Sequence, residues 1–382
     1  MSSLPRFSQI NPATIVAELD TILAQNRAEL LLLLSEIISL DWNFIQKLDD
    51  LDDRLQHFWS PINHLHAVKQ TAKLRLAYNE CLAKISDYSS ELSQNSRLYQ
   101  AIKTLDNGDY RFNYAQKKCL HNELRDFHLG GIDLPKAKQK RYQVIQAQLA
   151  QLSNQFEENL LDATANWSKC ISDKSELKGL PTYIIASAEK AAKDKNMSGC
   201  LLSLDYPCYF PVLSYADNRA LRESVYKAYI TRASEFGNMA FDNSPIMFKI
   251  LNLRHELSQL LGFKNYAQKS LASNKMAKTP EEVLSFLENL LRCTQSKADA
   301  EWQALYNFAQ SRDQIDTLQP WDILYYREKL QEKMFGICDD TLRCYFPVEK
   351  VLSGLFKLIH DLFGMQIQEI KEVDVWDPAV RF

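Results

Sequence analysis

The sequence predicts a mainly α-helical protein built from long helices, and two observations favour this fold class. Glycine (10) and proline (12) together supply 22 of the 382 residues, about half of the roughly 12% that is usual. Because β-sandwiches and barrels use both residues in their many tight turns, this shortage argues against them. Apolar residues also recur every three or four positions over long stretches, which is the period of an α-helix.

Helix starts are indicated where a capping side chain precedes a proline. The side-chain oxygen accepts an amide hydrogen of the first turn, and proline at the first helical position has none to leave unpaired. Glu282 adds a capping box by reaching back to the Thr279 amide. The four predicted starts are Asn11-Pro12, Ser60-Pro61, Ser244-Pro245 and Thr279-Pro280.

Two long helical faces follow from the spacing of apolar residues. A helix running from about Lys136 to Trp167 is predicted by Tyr142, Ile145, Leu149, Leu152, Phe156 and Leu160. An earlier helix is predicted by Val16, Leu19, Leu23, Leu30, Leu33 and Ile37. Gly262 is expected to end the helix that starts at Pro245, because glycine is common just after a helix.

Three stretches depart from the helical pattern. Residues 106–109 (Asp-Asn-Gly-Asp) predict a turn, and residues 200–215, with two prolines and alternating aliphatic and aromatic residues, predict a short strand pair. Residues 130–135 (Gly-Gly-Ile-Asp-Leu-Pro) are the best candidate for a domain boundary. We therefore expect an N-terminal helical domain at 1–135 and a second region at 136–382.

Charge and hydropathy exclude two classes of partner. With 45 basic and 48 acidic residues the net charge is −3, so little excess charge is available to neutralise nucleic-acid phosphates. The mean hydropathy is −0.32, and no apolar run approaches the about 20 residues that span a bilayer. Because the first residues also lack the features of a signal peptide, a cytoplasmic location is expected.

Candidate metal sites are weak in this sequence. His255-Glu256 resembles the start of HExxH, a motif whose two histidines share one helix face and bind zinc, but Gln259 stands where the second histidine belongs. His57, His64 and His66 follow the acidic run 49–53. The predicted helix start at Ser60-Pro61 separates them, so a solvated acidic turn with ordinary histidines is favoured.

Nucleophile and phosphate-binding motifs are missing as well. The sequence contains no GxSxG elbow, P-loop or GxGxxG. None of the eight cysteines is in a CxxC pair, which predicts reduced and mostly buried thiols. A Cys/His pair stays open, because such pairs meet only in the fold.

The most aromatic stretch is 320–327 (Pro-Trp-Asp-Ile-Leu-Tyr-Tyr-Arg). Trp321, Tyr325 and Arg327 could line a peptide groove, since aromatic rings offer contact area and arginine can hold a carboxylate. The alternative, favoured about two to one, is a helix N-terminus packed into the core. From the residues alone, the chain is a mainly helical globule without a complete catalytic constellation.

Several segments resemble the zinc metallo-oligopeptidases of the thimet oligopeptidase and oligopeptidase A family, and the oligopeptidase A branch most closely. The similarity runs collinearly from Leu4-Pro5-Arg6-Phe7-Ser8 to Val380-Arg381-Phe382. Its most specific stretches are Ala228-Tyr229 with Thr231-Arg232-Ala233-Ser234, Leu253-Arg254-His255-Glu256-Leu257, Leu260-Leu261-Gly262-Phe263, and Gln319-Pro320-Trp321-Asp322 with Tyr325-Tyr326.

The resemblance implies a mainly α, neurolysin-like N-terminal lobe with a deep cleft that admits short unstructured peptides. It also implies endopeptidase activity in peptide turnover, including the degradation of signal peptides, with a zinc-bound water activated at HExxH. None of the seven histidines (57, 64, 66, 121, 128, 255, 360) belongs to such a motif. In the family the motif lies beyond the position of Phe382, so no catalytic or metal residue can be transferred to this chain.

Three alternative functions are therefore compatible with the sequence. The first is the N-terminal part of a zinc oligopeptidase, inactive by itself. The second is one half of a split enzyme that a second chain, the missing C-terminal half, completes; the apolar, strand-like segment 373–382 favours a missing partner. The third is a non-catalytic module that binds peptides or a partner protein. The expected cleft-lining residues are Tyr226, Arg232, Trp321, Tyr325 and Tyr326.

Overall fold

The computed structural model describes residues 4–35, 40–108, 111–273, 275–337 and 339–382, without the side chains of 339 and 340. Ile37 of the first predicted helix face, Asp109 of the predicted turn and Cys338 lie outside these residues. The prediction of a mainly α fold is confirmed, because helices dominate the described chain and a single pair of short strands accompanies them there.

The described chain contains fifteen α-helices and two strands. In chain order they are α1 (Ile15–Ser35), α2 (Trp42–Val68), α3 (Ala72–Ser93), α4 (Ser96–Asn107), α5 (Tyr114–Leu129), α6 (Lys136–Asn166), β1 (Ser168–Ile171), α7 (Thr182–Asp194), β2 (Cys200–Ser203), α8 (Tyr206–Tyr215), α9 (Arg219–Ile230), α10 (Ser244–Leu260), α11 (Tyr266–Ala272), α12 (Pro280–Asp313), α13 (Pro320–Phe335), α14 (Asp339–Arg343) and α15 (Val348–Phe363).

The helices and strands form two compact units. Unit 1 consists of residues 1–154, 249–283 and 369–382, and unit 2 consists of residues 155–248 and 284–368. Helices α5 and α6 are separated by a turn in which Gly131 has a φ of +81°. The division at 135/136 that the sequence suggests stays a prediction.

Unit 1 is built around helices α1 to α5. The predicted apolar face of α1 is confirmed, since Leu19, Leu23 and Leu30 are buried. Before this helix, the Asn11 Oδ1 accepts the Ala13 amide at 3.0 Å and caps the entering turn. Two apolar clusters result, one around Leu105 and Leu120 and the other around Leu19, Ile62 and Cys81.

The predicted helix start at Ser60-Pro61 is wrong, because α2 continues through Pro61 to Val68. Proline removes one donor inside a helix, but the apolar face of α2 is buried on both sides of it at Leu55 and Ile62, which favours the continuous helix. The acidic run 49–53 is consequently helical and not a turn. The turn predicted at 106–109 is wrong for its first two residues, because Asp106 and Asn107 belong to α4 and Gly108 follows the end of that helix.

Helix α6 confirms the long predicted helix. Its residues Tyr142 and Ile145 are buried against Leu257 of α10 within unit 1. Helix α10 ends as predicted at Gly262, whose φ is +85°, and the Phe263 amide closes the end by donating to the Ser258 carbonyl at 2.8 Å.

The start of α12 differs in one detail from its prediction. Thr279 Oγ1 accepts the Glu282 amide at 3.2 Å, as a capping residue does. The Glu282 carboxylate accepts the amide of Lys278 at 2.9 Å, one residue before the predicted Thr279 amide. The box therefore reaches one residue further back than the sequence pattern indicates.

The strand pair predicted within 200–215 is wrong in its second strand. Strand β2 lies at 200–203, but its antiparallel partner is β1, with Ile171 opposite Cys200 and Ser168 opposite Ser203. Residues 206–215 form α8, with Pro207 in the first turn, where proline needs no amide partner. The buried Tyr209, Val212 and Leu213 mark its apolar face.

The strand-like C-terminus expected from the sequence is not a strand in the structure. Residues 364–382 have no regular structure, although the Ile370 amide donates to the Phe382 carbonyl at 2.8 Å. Within unit 1, Asp374 accepts the Ser8 amide at 3.0 Å and the Ser8 hydroxyl at 2.7 Å. The Trp376 ring meets His64 edge-on at 5.1 Å, so the segment has partners other than a sheet.

In the part of the chain that the structure describes, none of the helices combines the length and the apolar character needed to cross a bilayer.

Candidate functional site

The predicted cleft residues lie in unit 2, on α9, on α13 and in the loop that follows α9. These two helices are joined by a carboxylate that is completely buried. Asp322, in the first turn of α13, accepts Arg219 Nη2 at 2.6 Å and Arg222 Nη2 at 3.0 Å. It also accepts the Gln319 amide at 3.0 Å and so caps its own helix. One side chain thereby sets both the start of α13 and its attachment to α9.

Arg222 is the most deeply buried cation of this site, with only 1% of its side chain exposed. Besides Asp322, it donates to the carbonyls of Ala216 at 2.7 Å and Trp321 at 3.2 Å. Its guanidinium also lies 4.1 Å from the centre of the Tyr325 ring. Buried charge is costly unless it is paired and hydrogen-bonded, and Arg222 meets both conditions.

The two tyrosines of the aromatic stretch anchor α13. Tyr325 donates its hydroxyl to Asp217 Oδ1 at 3.0 Å, and Tyr326 donates to Asp313 Oδ2 at 3.0 Å. Burial, together with the hydrogen bond to Asp217, raises the pKa of Tyr325 to about 12. Burial and the Asp313 carboxylate raise the pKa of Tyr326 still further. Both phenols are therefore held as protonated donors within the packed interior.

Trp321 and Tyr226 form the more accessible part of the site. Both are half-buried, and their ring centres lie 6.0 Å apart. The ammonium group of Lys227 is 5.3 Å from the centre of the Trp321 ring. Trp321, Arg219, Gln319 and Thr317 line a cavity of about 530 Å³. Asp316 also lines this cavity, and the guanidinium of Arg219, although its side chain is 44% exposed, is already paired with Asp322.

Arg232 belongs to a separate aromatic stack. Its guanidinium lies 3.5 Å from the centre of the Tyr229 ring, and that ring stacks on Tyr209 with 3.7 Å between centres. It also donates to the Tyr229 carbonyl at 2.8 Å and to Thr164 Oγ1 at 3.1 Å. Burial, reinforced by the neighbouring Tyr229, raises the pKa of Tyr209 to about 12.

The structure therefore brings the five predicted residues together only in part. Tyr226 meets Trp321, and Tyr325 meets Tyr326 with 5.2 Å between ring centres. Arg232 makes its contacts with Tyr229 and Thr164 instead. The assignment of these five side chains to a peptide cleft stays a prediction.

Sequence reasoning missed the charged framework beneath these rings. Arg219 and Arg222 stand three residues apart and so share one face of α9, which was the available signal. The distant partner Asp322 could be recognised only once the two helices were placed together. Asp217 accepts the Tyr325 hydroxyl, but no sequence pattern marks it as a candidate residue.

The candidate metal pair on α10 is engaged in another contact. Glu256 accepts both Nε and Nη2 of Arg141 at 2.6 Å, a bidentate ion pair within unit 1. Arg141 thereby lowers the pKa of Glu256 below its usual value. The helix surface pair favoured from the sequence fits this arrangement.

The three clustered histidines also have individual contacts. His66 stacks on Tyr78 with 3.8 Å between ring centres, and His57 Nδ1 lies 2.8 Å from the Asp53 carbonyl. Among the described residues, no three His, Cys, Asp or Glu side chains come together in a group able to hold a metal ion. The residues present in this part of the chain thus do not fit a zinc site.

Comparison with known proteins gives two family matches. Residues 19–139 match the model of the neurolysin/thimet oligopeptidase N-terminal domain. Residues 212–382, which contain the Arg222–Asp322 pair and all five predicted cleft residues, match the model of peptidase family M3.

Individual relatives extend over the whole chain. Oligopeptidase A of Salmonella typhimurium is 46% identical over 385 residues, which cover 100% of this chain and 56% of the relative. Oligopeptidase A of Escherichia coli is 45% identical over 384 residues, with coverages of 99% and 56%. A probable cytosolic oligopeptidase A of Arabidopsis thaliana is 35% identical over 391 residues, with coverages of 99% and 55%. The chain thus spans somewhat more than half the length of these relatives, and it belongs to the thimet oligopeptidase and oligopeptidase A family of M3 peptidases.

Proposed function

We propose that this chain is the N-terminal part of a zinc metallo-oligopeptidase that hydrolyses short unstructured peptides, including degraded signal peptides. The observation that carries the proposal is the 46% identity to oligopeptidase A over the complete length of this chain. The cavity beside Trp321 supports it, because a half-buried aromatic ring offers contact area to a short peptide.

We propose further that the 382-residue chain alone is catalytically incompetent. Zinc peptidases need three protein ligands and an activated water. The sequence lacks HExxH, and Glu256, which follows the candidate histidine on α10, is held by Arg141. What supports incompetence is the missing ligand set.

The test combines metal analysis with a peptidase assay of the purified chain. We expect less than about 0.1 equivalent of zinc after dialysis, and no cleavage of a quenched fluorescent nonapeptide. Oligopeptidase A of Escherichia coli, assayed in parallel, is the positive control. One equivalent of bound zinc together with chelator-sensitive cleavage would contradict the proposal.

A second candidate is one half of a split enzyme. The observation that favours it is an apolar face on α15, where Val351, Leu355, Leu358 and Leu362 are all solvent-exposed at helical spacing. Exposed apolar patches of this kind mark interaction surfaces. A second chain corresponding to the remaining part of oligopeptidase A, with HExxH, would be the partner.

Co-expression with that remaining segment of Escherichia coli oligopeptidase A tests the split enzyme. We expect a co-purifying complex with peptidase activity. Leu358→Glu should abolish the complex, whereas Lys350→Glu, an exposed charge change on the same helix, should preserve it. Absence of a complex with the unmodified chain would remove this candidate.

The third candidate, a non-catalytic peptide-binding module, rests on Trp321 and Tyr226 alone. Calorimetry with short peptides tests it, and the absence of saturable heat would count against it. A cytoplasmic location is also proposed, supported by the free thiols of the seven cysteines that the structure describes. The expectation that these thiols are mostly buried is wrong, because only Cys81 and Cys200 are buried. Subcellular fractionation of the source cells with an antibody to this chain would test the location.

A further inference from the structure

A further cavity lies in unit 1 and has no part in the site described above, which belongs to unit 2. It has a volume of about 670 Å³ and lies among α3, α5, α6, α10 and α11. Serine hydroxyls line much of its wall, including Ser86, Ser89 and Ser153. We call it the serine cavity.

Two cations and one aromatic ring stand in the wall of the serine cavity. The guanidinium of Arg254 is 5.0 Å from the centre of the Tyr266 ring, and the ammonium of Lys269 is 6.0 Å from it. Both side chains are half-buried. Because they approach the same ring, the two positive charges are held in one part of the cavity.

Neither cation is neutralised by a carboxylate. The side chains of Arg254 and Lys269 make no hydrogen bond or ion pair with any residue that the structure describes, and each approaches the ring of Tyr266. The single acidic residue in the wall is Asp126, and it is occupied by Arg125, which donates to both of its carboxylate oxygens at 2.9 Å. The cavity therefore carries an excess of positive charge.

The environment of Lys269 supports this description. Burial lowers the pKa of its ammonium below the usual value, and the more distant Asp126 offsets this only in part. A half-buried ammonium without a carboxylate in an ion pair is an unfavourable arrangement that a bound anion would relieve.

We infer that the serine cavity binds an oxyanion, the carboxylate or phosphate group of a small ligand, between Arg254, Lys269 and the serine hydroxyls. Arginine offers a planar fork of donors that matches both groups, and lysine contributes a point charge. Hydroxyl groups complete the ligand shell as neutral donors. This site is independent of the proposed peptidase function, and it lies in a different unit from the aromatic cluster around Trp321.

Isothermal titration calorimetry of the 382-residue chain at low ionic strength tests the inference. The probes are inorganic phosphate and N-acetyltrialanine as the free acid, with N-acetyltrialanine amide as the matched neutral form. We expect saturable binding of at least one of the two anions and none of the amide. Binding of phosphate alone would identify a phosphorylated ligand, and binding of the free acid alone would identify a carboxylate.

Variants place the binding in the cavity. Lys269→Met and Arg254→Met should each weaken binding by about tenfold or more, as expected for the loss of a charged hydrogen bond. Lys264→Met, an exposed lysine just before α11, is the matched control and should bind as the unmodified chain does. Lys269→Arg keeps the charge and should bind within about threefold, which separates loss of charge from loss of folding.

Two results would overturn the inference. One is the absence of saturable heat with both anions at millimolar concentration. The other is equal affinity in Lys269→Met, Arg254→Met and the unmodified chain, which would place the anion elsewhere.

Discussion

Arg222 and Asp322 form an ion pair that is almost completely removed from solvent, although one hundred residues separate them in the chain. Their Nη2 and Oδ1 atoms lie 3.0 Å apart, and their side chains are 1% and 0% exposed. The pair holds the start of α13 against α9, and it thereby positions the rings of Trp321 and Tyr325, which belong to α13. The positions of Trp321, Tyr325 and Tyr326 on α13 thus depend on this buried contact.

Asp322→Asn should destabilise unit 2 strongly. The substitution leaves Arg222 buried without its countercharge, and breaking a buried pair costs about 3–5 kcal/mol. Urea unfolding followed by circular dichroism measures the loss. Asp316→Asn, an exposed carboxylate just before α13, is the matched control and should change the free energy of unfolding by less than about 0.5 kcal/mol. Equal stability of the two variants would contradict the role assigned to Asp322.

The same carboxylate predicts a loss of stability in acid. Burial opposes its charge, but hydrogen bonds from Arg219, the Gln319 amide and Arg222 outweigh this and lower the pKa of Asp322 below its usual 3.8. Because the folded state releases the proton more readily, the stabilisation is complete above about pH 4 and is lost as the pH falls through the lowered pKa. The difference in unfolding free energy between the unmodified chain and Asp322→Asn should therefore shrink below pH 4. A difference independent of pH would argue against this linkage.

Tyr325→Phe should change the stability of the chain in alkali. The pKa of Tyr325 is raised from 10 to about 12, by burial first and by the Asp217 carboxylate second. A raised pKa means stabilisation that is complete below about pH 10 and is lost as the pH rises towards about 12. Between pH 9 and 11, the unmodified chain should lose more unfolding free energy than Tyr325→Phe. Tyr114→Phe, at a tyrosine that is 87% exposed, should follow the unmodified chain.

Asp374 should fasten the C-terminal segment to the start of the chain. Asp374→Asn removes the charge that accepts both the amide and the hydroxyl of Ser8, so residues 364–382 should become more sensitive to trypsin. Limited proteolysis read by mass spectrometry should show cleavage at Lys371 several times faster than in the unmodified chain. Asp377→Asn is the control, because the Asp377 carboxylate accepts the Ala379 amide within the same segment. Unchanged cleavage in Asp374→Asn would show that other contacts hold the segment.

Glu256→Gln tests the ion pair on α10. Both side chains of the Arg141–Glu256 pair are more than 40% exposed, so its loss should cost no more than about 1 kcal/mol. The variant should also leave the zinc content of the purified chain unchanged. A fall in bound zinc on this substitution would instead restore His255-Glu256 as a metal site.

The helical class and several helix ends could be predicted because they depend on local interactions. The face of α6 that carries Tyr142 and Ile145 follows from a period of 3.6 residues, and Gly262 follows from the left-handed conformation that ends α10. Pro61 shows the limit of this reasoning. A proline after a serine is typical of a helix start, yet packing on both sides of it outweighs the local preference and continues α2.

Non-local partners decided the rest. The sequence pattern of residues 200–215 is typical of a hairpin, but β2 pairs with β1 instead. The sequence of a strand does not show which other strand it will pair with. The sequence of residues 320–327 likewise shows that the stretch is aromatic, but it does not show which residues these rings contact. By itself, the sequence determined the helical class, the family and the absence of HExxH, because each can be recognised from residues that are close together in the chain. Only the tertiary structure decided that Tyr325 and Tyr326 anchor α13 and that Arg254 and Lys269 share a cavity, because burial and charge pairing arise between residues far apart in the chain.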